Sequence, residues 1–253
     1  MTCSRTSNKH KEMAKPFETY YLDKKVADRI EDWVFNRNTP ISWNFSNNVA
    51  FEWKHLERQK ERWGDELDFS YNNHPCPGFS SRFIEFGSEH PVHWIPNCIR
   101  HLEIPELKKI IDPKYHNLNI WRMQAWMYPS VSEEFFNKAH NPHIDLVTRR
   151  AHKNGRRLSG KEGDPLRSGE GNIVMLYYIN DADGDNYFYK IKDEYIDHPS
   201  LQDDDLFHPD FLEIVHTETP EKGKLLVMDG DVIHASSSPS KGIRSTLNIN
   251  LIP

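Results

Sequence analysis

Histidine and carboxylate are the residue types here that could hold a catalytic metal, because the chain has 14 histidines but only 3 cysteines in 253 residues. On extended backbone a His-x-Asp spacing sends both side chains to one face, since side-chain direction alternates with period 2. Two such tripeptides occur, His143-Ile144-Asp145 and His208-Pro209-Asp210. With 14 histidines and 19 aspartates, composition alone supplies about one, so context has to separate them. His208 follows the acid run Asp203-Asp204-Asp205, and Pro209 cannot donate to a sheet ladder, so that pair reads as loop surface. His143 follows a strong strand pattern and opens into Ile144, Leu146 and Val147. A third ligand must come from a distant segment, and His234 stands out among Val232, Ile233 and Ala235, an apolar setting in which an imidazole needs a partner. That partner is a metal or, in the plainer reading, a backbone group. His198 and His216 lie in polar segments without a strand pattern. Two histidines and one carboxylate form the facial set that holds non-haem Fe(II) with open positions for substrate and oxygen.

Ten residues beyond His234 comes Arg244, in the segment GIRSTLNINL. The alternation is clean: Ile243, Ser245, Leu247, Ile249 and Leu251 face one way, and Arg244, Thr246, Asn248 and Asn250 the other. Beside a metal strand, such a row suggests a polar interior. There Arg244 could grip a carboxylate in two places and Thr246 could add a hydroxyl to the same oxygens. The same row would suit an ordinary surface face.

These residues need strands to carry them. NIWRMQAWMY (119–128), NIVMLYYI (172–179), NYFYKIK (186–192), KLLVM (224–228), DVIHAS (231–236) and IRSTLNINL (243–251) have the aromatic and β-branched content of strands. Asp229-Gly230 reads as a two-residue hairpin turn placing His234 on its far arm, and Asp183-Gly184 precedes another strand. Upstream, Leu22, Val26, Ile30, Trp33 and Val34 recur at helical spacing. Weaker helical patterns run through 51–63 and 105–111, and the first ~15 residues read as a frayed tail. Helices first and strands afterwards suggest a β-sandwich or barrel buttressed by N-terminal helices. A charge of −6 argues against a dedicated nucleic-acid binder. The longest apolar run, Ile173 to Ile179, is far short of the roughly 20 residues of a spanning helix. With three scattered cysteines and no secretory pattern at its start, the chain is expected to be cytoplasmic.

The order His143-x-Asp145, His234, Arg244-x-Thr246 resembles the 2-oxoglutarate/Fe(II) dioxygenase superfamily over residues 118–253, and within it the prolyl-hydroxylase-like branch. GDNYFYK at 184–190 sits where that family has a Gly-acid-x-x-Phe strand, and Tyr128 matches its cosubstrate-contacting tyrosine. The resemblance implies a mainly β chain folded as a double-stranded β-helix, or jelly roll, with N-terminal helices against the larger sheet. It also implies Fe(II) held by His143, Asp145 and His234, and 2-oxoglutarate as cosubstrate bound by Arg244, Thr246 and Tyr128. The activity implied is hydroxylation of an unactivated C–H bond, consuming dioxygen and releasing succinate and carbon dioxide. Related halogenases lack the carboxylate that Asp145 provides. Animal-type collagen prolyl hydroxylases usually have Lys where this chain has Arg244, so peptidyl proline is not assigned; the substrate class stays a peptide or an amino-acid-like small molecule. The expected organisation is one domain, 1–253, with 1–117 as helical support and 118–253 as the β-helix. Seven Lys/Arg between Arg149 and Arg167 would attract an anionic substrate if folded over the site, or form a solvated loop. Two other classes remain open: a cupin-type metal enzyme needing no 2-oxoglutarate, and a non-catalytic binding barrel.

Overall fold

The computed structural model describes residues 15–36, 41–46, 76–85, 88–89, 104–145, 172–196 and 207–253. The helix expected at 51–63, the basic stretch 149–167, His198, Cys3 and Cys98 lie outside them. The elements are β1 (Glu18–Tyr21), α1 (Lys24–Phe35), β2 (Asn44–Ser46), β3 (Gly78–Glu85), β4 (Ser88–Glu89), α2 (Ile104–Ile110), β5 (Asn119–Pro129), β6 (Ile173–Tyr178), β7 (Asn186–Ile191), β8 (Leu212–Glu218), β9 (Lys224–Asp229), β10 (Ile233–Ser236) and β11 (Ile243–Ile252). One sheet runs β1-β9-β6-β11-β5-β3-β2, with β4 on β3; the other runs β10-β7-β8. Residues 139–143 add to the free edge of β10 through bridges Ala139↔Ser237 and His143↔His234.

The pairing pattern identifies the architecture. Taken in chain order, β5, the segment 139–143, β6, β7, β8, β9, β10 and β11 pair first with last, second with seventh, third with sixth and fourth with fifth, always antiparallel. This is a long hairpin wound over two facing sheets, a double-stranded β-helix. The winding also corrects the reading of Asp229-Gly230. β9 lies in the large sheet and β10 in the small one, so that turn is a crossover between sheets and not a hairpin. Its geometry is tight nonetheless: Val232 N–H donates to Asp229 O at 3.1 Å and Gly230 N–H to Asn172 O at 2.9 Å.

Burial explains the strand textures. In β6 and β9 one set of side chains (Ile173, Met175, Tyr177, Leu225, Val227) packs with Val26, Ala27, Ile30, Trp33 and Val34 of α1. The alternate set (Val174, Leu176, Tyr178, Leu226, Met228) packs with Phe188 of the small sheet. Strands covered on both faces read as unbroken apolar runs. In β11 only Leu247, Ile249 and Leu251 join the helix side, and the polar row faces the small sheet. α1 starts at Asp23, whose side chain accepts the Lys25 N–H at 2.9 Å. The N-terminal support is therefore not only helical: β1, β2, β3 and β4 extend the large sheet.

Two further connections fix the approach to His143 and Asp145. Asn137 adopts φ 56°, a conformation asparagine tolerates better than most residues. Its side chain receives Asp185 N–H at 3.2 Å and Ser237 Oγ–H at 3.0 Å, while its carbonyl accepts Tyr187 O–H at 2.8 Å. Gly184 passes so close to the end of β10 that a Cβ there would lie 2.7 Å from Ser237 O and 2.9 Å from Pro239 N. Gly242 has φ +67° with nothing within 4 Å. Gly184→Ala is therefore expected to cost about 1–3 kcal/mol through overpacking against rigid backbone. Gly242→Ala should cost about 1–2 kcal/mol, from the left-handed conformation alone. Urea unfolding of both variants checks this, and a Gly184→Ala protein as stable as wild type would refute the contact.

Candidate metal centre

β10 and the segment 139–143 meet at His143 and His234. Each backbone N–H donates to the other's carbonyl at 2.9 Å, a directly opposed antiparallel pair whose side chains share a face. The two rings lie 4.7 Å apart. Asp145, two residues after His143, returns to the same face, while Ile144 and Ile233 between them pack with Phe207, Phe211 and Leu212 on the other.

Both imidazoles are oriented by backbone. His143 Nδ1 lies 2.9 Å from Asn141 O and His234 Nδ1 lies 3.0 Å from Val232 O. A carbonyl can only accept, so each Nδ1 carries the proton and each Nε2 keeps a lone pair. Those Nε2 atoms face the carboxylate, at 3.6 Å from Asp145 Oδ1 for His143 and 3.8 Å from Oδ2 for His234. The three donor atoms lie within 4.8 Å of one another, so one divalent cation could engage all of them. Imidazole held through its second nitrogen by a carbonyl is how metal-binding histidines are commonly oriented.

The ionised carboxylate suits a cation. Burial alone would raise the Asp145 carboxyl, but the adjacent His143 and the charge of Arg122 outweigh it and hold it well below the usual carboxylate range. Burial works against protonated His143, yet the adjacent carboxylate prevails and shifts it upward. His234 shifts downward, through burial and the charge of His143. The Asp145 and His234 side chains are 7% and 6% exposed, whereas His143 is 31% exposed, so solvent reaches the group from the His143 side.

Arg244 lies on the same face of the large sheet and is 1% exposed. Its Nη2 donates to Asn186 Oδ1, which also accepts Tyr178 O–H at 3.0 Å, and its Nε has no partner. Tyr128, opposite it in the β5–β11 register, places its ring 5.2 Å from the guanidinium carbon. No carboxylate lies within ion-pair range of Arg244 among the described residues. Burial pushes its pKa down, though the neighbouring tyrosines oppose the shift. The Tyr128 hydroxyl is pushed up to about 12, chiefly by burial, and therefore stays a neutral donor. Thr246 is buried two residues along the same row.

All six expected site residues thus sit on the faces between the two sheets, in two groups. The other candidates do not join them. His208 is buried, and its Nδ1 accepts Asp210 N–H at 3.2 Å, so it caps a short helical turn and is not loop surface. His216 does lie in a strand, β8, with Nε2 2.9 Å from Glu218 Oε2. The sequence reading missed Arg122, whose Nη2 lies 3.2 Å from Asp145 Oδ1, and Asn186. The signal for Arg122 was its period-2 relation to Gln124, Trp126 and Tyr128.

No protein-family model and no curated protein matches the chain. Solved structures resemble it at low identity. The non-heme alpha-ketoglutarate-dependent epimerase SnoN from nogalamycin biosynthesis is 10% identical, covering 91% of this chain and 84% of its own, at TM-score 0.41. A 2OG-Fe(II) oxygenase family oxidoreductase from Burkholderia pseudomallei is 10% identical, covering 90% of each chain, at TM-score 0.41. A Pseudomonas putida prolyl-4-hydroxylase is 14% identical, covering 90% of this chain and 97% of its own, at TM-score 0.36.

One Mn(II) per chain is the stoichiometry this geometry predicts, read by the loss of free-ion electron paramagnetic resonance signal on titration. His234→Ala should abolish the uptake, since two donors cannot complete a facial set. Equal uptake by the variant would place the ion elsewhere.

Proposed function

We propose that this chain is a 2-oxoglutarate- and Fe(II)-dependent dioxygenase, a hydroxylase of the prolyl-hydroxylase-like kind, in which residues 1–117 support a β-helix formed by 118–253. His143, Asp145 and His234 would hold Fe(II): two neutral imidazoles and one ionised carboxylate are its donor set, and all three point at a common centre. The observation that carries the cosubstrate is Arg244. A buried guanidinium with a neutral amide for a partner and an orphaned Nε is costly unless an anion completes it. The distal carboxylate of 2-oxoglutarate fits that need.

The spacing is compatible. Arg244 and Asn248 lie four residues apart on one face of β11, and Asn248 touches Asp145. Four residues span roughly 13 Å of strand, which the side chains of Arg244 and Asp145 shorten from either end, leaving room for a five-carbon dicarboxylate. Tyr128 would donate its hydroxyl to the same carboxylate, and Thr246 would add a second. Bound Fe(II) and 2-oxoglutarate supply dioxygen activation coupled to decarboxylation, giving succinate, carbon dioxide and an oxidised substrate C–H bond. The protein's own part is placement: fixed imidazole tautomers, an ionised carboxylate, and two sheets that shield the interior from water. The substrate, a peptide or amino-acid-like molecule, would approach from the exposed His143 side. Among the described residues no helix is long and apolar enough to cross a membrane.

The test is thermal stability with Mn(II) alone and with Mn(II) plus 2-oxoglutarate. The second addition should raise stability further, by about 2.7 kcal/mol at 100 times the dissociation constant. A cupin-type enzyme would respond to metal alone. Arg244→Gln should weaken 2-oxoglutarate binding about 10- to 100-fold, the equivalent of about 1.5–3 kcal/mol for hydrogen bonds to a charged group. Mn(II) uptake should be unchanged. An Arg244→Gln protein with wild-type 2-oxoglutarate affinity would reject the assignment.

A further inference from the structure

The metal and cosubstrate roles leave two members of the polar row of β11 unused, Asn248 and Asn250. Both belong to a closed ring of side chains around Asp145. Arg122 Nη2 donates to Asp145 Oδ1 at 3.2 Å and Arg122 Nε to Asn250 Oδ1 at 2.6 Å. Asn250 Nδ2 donates to Asn248 Oδ1 at 3.0 Å, and Asn248 Nδ2 to Asp145 Oδ2 at 2.5 Å. Arg122 and Asn250 are cross-strand partners, and the β5–β11 register shifts immediately after Asn250; such irregularities re-aim side chains beside active sites.

The direction of every bond in the ring follows from one residue. A guanidinium can only donate, so Asn250 must present its oxygen to Arg122 and its amide nitrogen to Asn248. Asn248 must then accept from Asn250 and donate to Asp145. Each carboxylate oxygen receives one such bond, and each has two lone pairs. One acceptor position per oxygen thus stays free on the side of the imidazoles, where His143 Nε2 and His234 Nε2 lie. Asp145 needs this support because it lies beyond the His143–His234 bridge, outside any named strand.

We propose that Arg122, Asn248 and Asn250 are positioning residues that fix the carboxylate of Asp145 toward the metal, with Arg122 setting the orientation of both amides. The inference rests on the proposed metal site. Asn250 is its most telling member, since it reaches Asp145 only through Arg122 and Asn248.

Co(II) titration of the metal-free protein, followed by visible absorption, tests the ring. Arg122→Ala and Asn248→Ala should each weaken Co(II) binding about 10- to 100-fold, as loss of a ligand's hydrogen-bond partner does, and should alter the ligand-field bands. Asn250→Ala should weaken it as well, but add little in an Arg122→Ala background, because both act through one carboxylate. Thermal midpoints of the metal-free proteins identify any variant that fails to fold, and the remaining variants then decide. Unchanged affinity and spectrum in Arg122→Ala and Asn248→Ala, or a fully additive Asn250→Ala effect, overturns the inference while the metal site stands. A wild type that takes up no Co(II) overturns both.

Discussion

Two reciprocal backbone hydrogen bonds between His143 and His234, each 2.9 Å, are the constraint on which the site depends. They join segments 91 positions apart in the sequence, and they make the residues direct partners, so the imidazoles must emerge side by side. A register slip of one residue between the two segments would turn one ring to the opposite face of the small sheet, where Ile144 and Ile233 now pack with Phe207 and Phe211. The apolar neighbours thus lock the register of the polar pair. Fixing the register also fixes the tautomer: each ring finds the carbonyl two residues back, Asn141 O or Val232 O, and presents Nε2 inward.

The electrostatics of the interior are uneven along β11. Near Asp145 a carboxylate faces a guanidinium, an amide and two imidazoles, so charge there is balanced. Around Arg244 it is not: a fully buried cation meets an asparagine oxygen and two tyrosines. A buried ion is expensive to leave unpaired, and folding alone would favour an apolar side chain at this position. In the proposed function the imbalance is a binding device, in which the anion that completes the pair arrives as a ligand.

Much of this was readable in the sequence because it rests on period-2 alternation. The row Arg244, Thr246, Asn248, Asn250 sits where the alternation puts it, and the strands at 119–128, 172–179, 186–192 and 243–251 match β5, β6, β7 and β11 to within about two residues. What escaped depends on long-range partners. Asp229-Gly230 has hairpin chemistry, but sheet membership, set by β6 beside β9 and β7 beside β10, makes it a crossover. β8 (LEIVHTE) is an edge strand with only Leu212 and Glu218 buried, so it lacks the apolar run that marks β6. His208 looked exposed beside an acid run, yet the ring is buried 5.8 Å from Phe211. Arg122 gave only a periodic hint, since its partners Asp145 and Asn250 lie 23 and 128 positions away.

The large sheet divides labour between its strands. β6 and β9 are largely apolar on both faces and, apart from Tyr178 beside Arg244, stay out of the site; they bind the helices to one side and the small sheet to the other. β5 and β11 are apolar toward the helices but polar inward, and Tyr128, Arg122, Arg244, Thr246, Asn248 and Asn250 all come from them. A polar row between two sheets forfeits hydrophobic stabilisation of about 1.5–3 kcal/mol per large side chain, and it persists only if its groups bond to one another. Asn248, Asn250, Arg122 and Asp145 do so in a closed ring, which makes that end of the row self-supporting. Arg244 keeps Nε unpartnered, so the row is satisfied beside Asp145 and unsatisfied at Arg244, as the proposed metal and cosubstrate roles require.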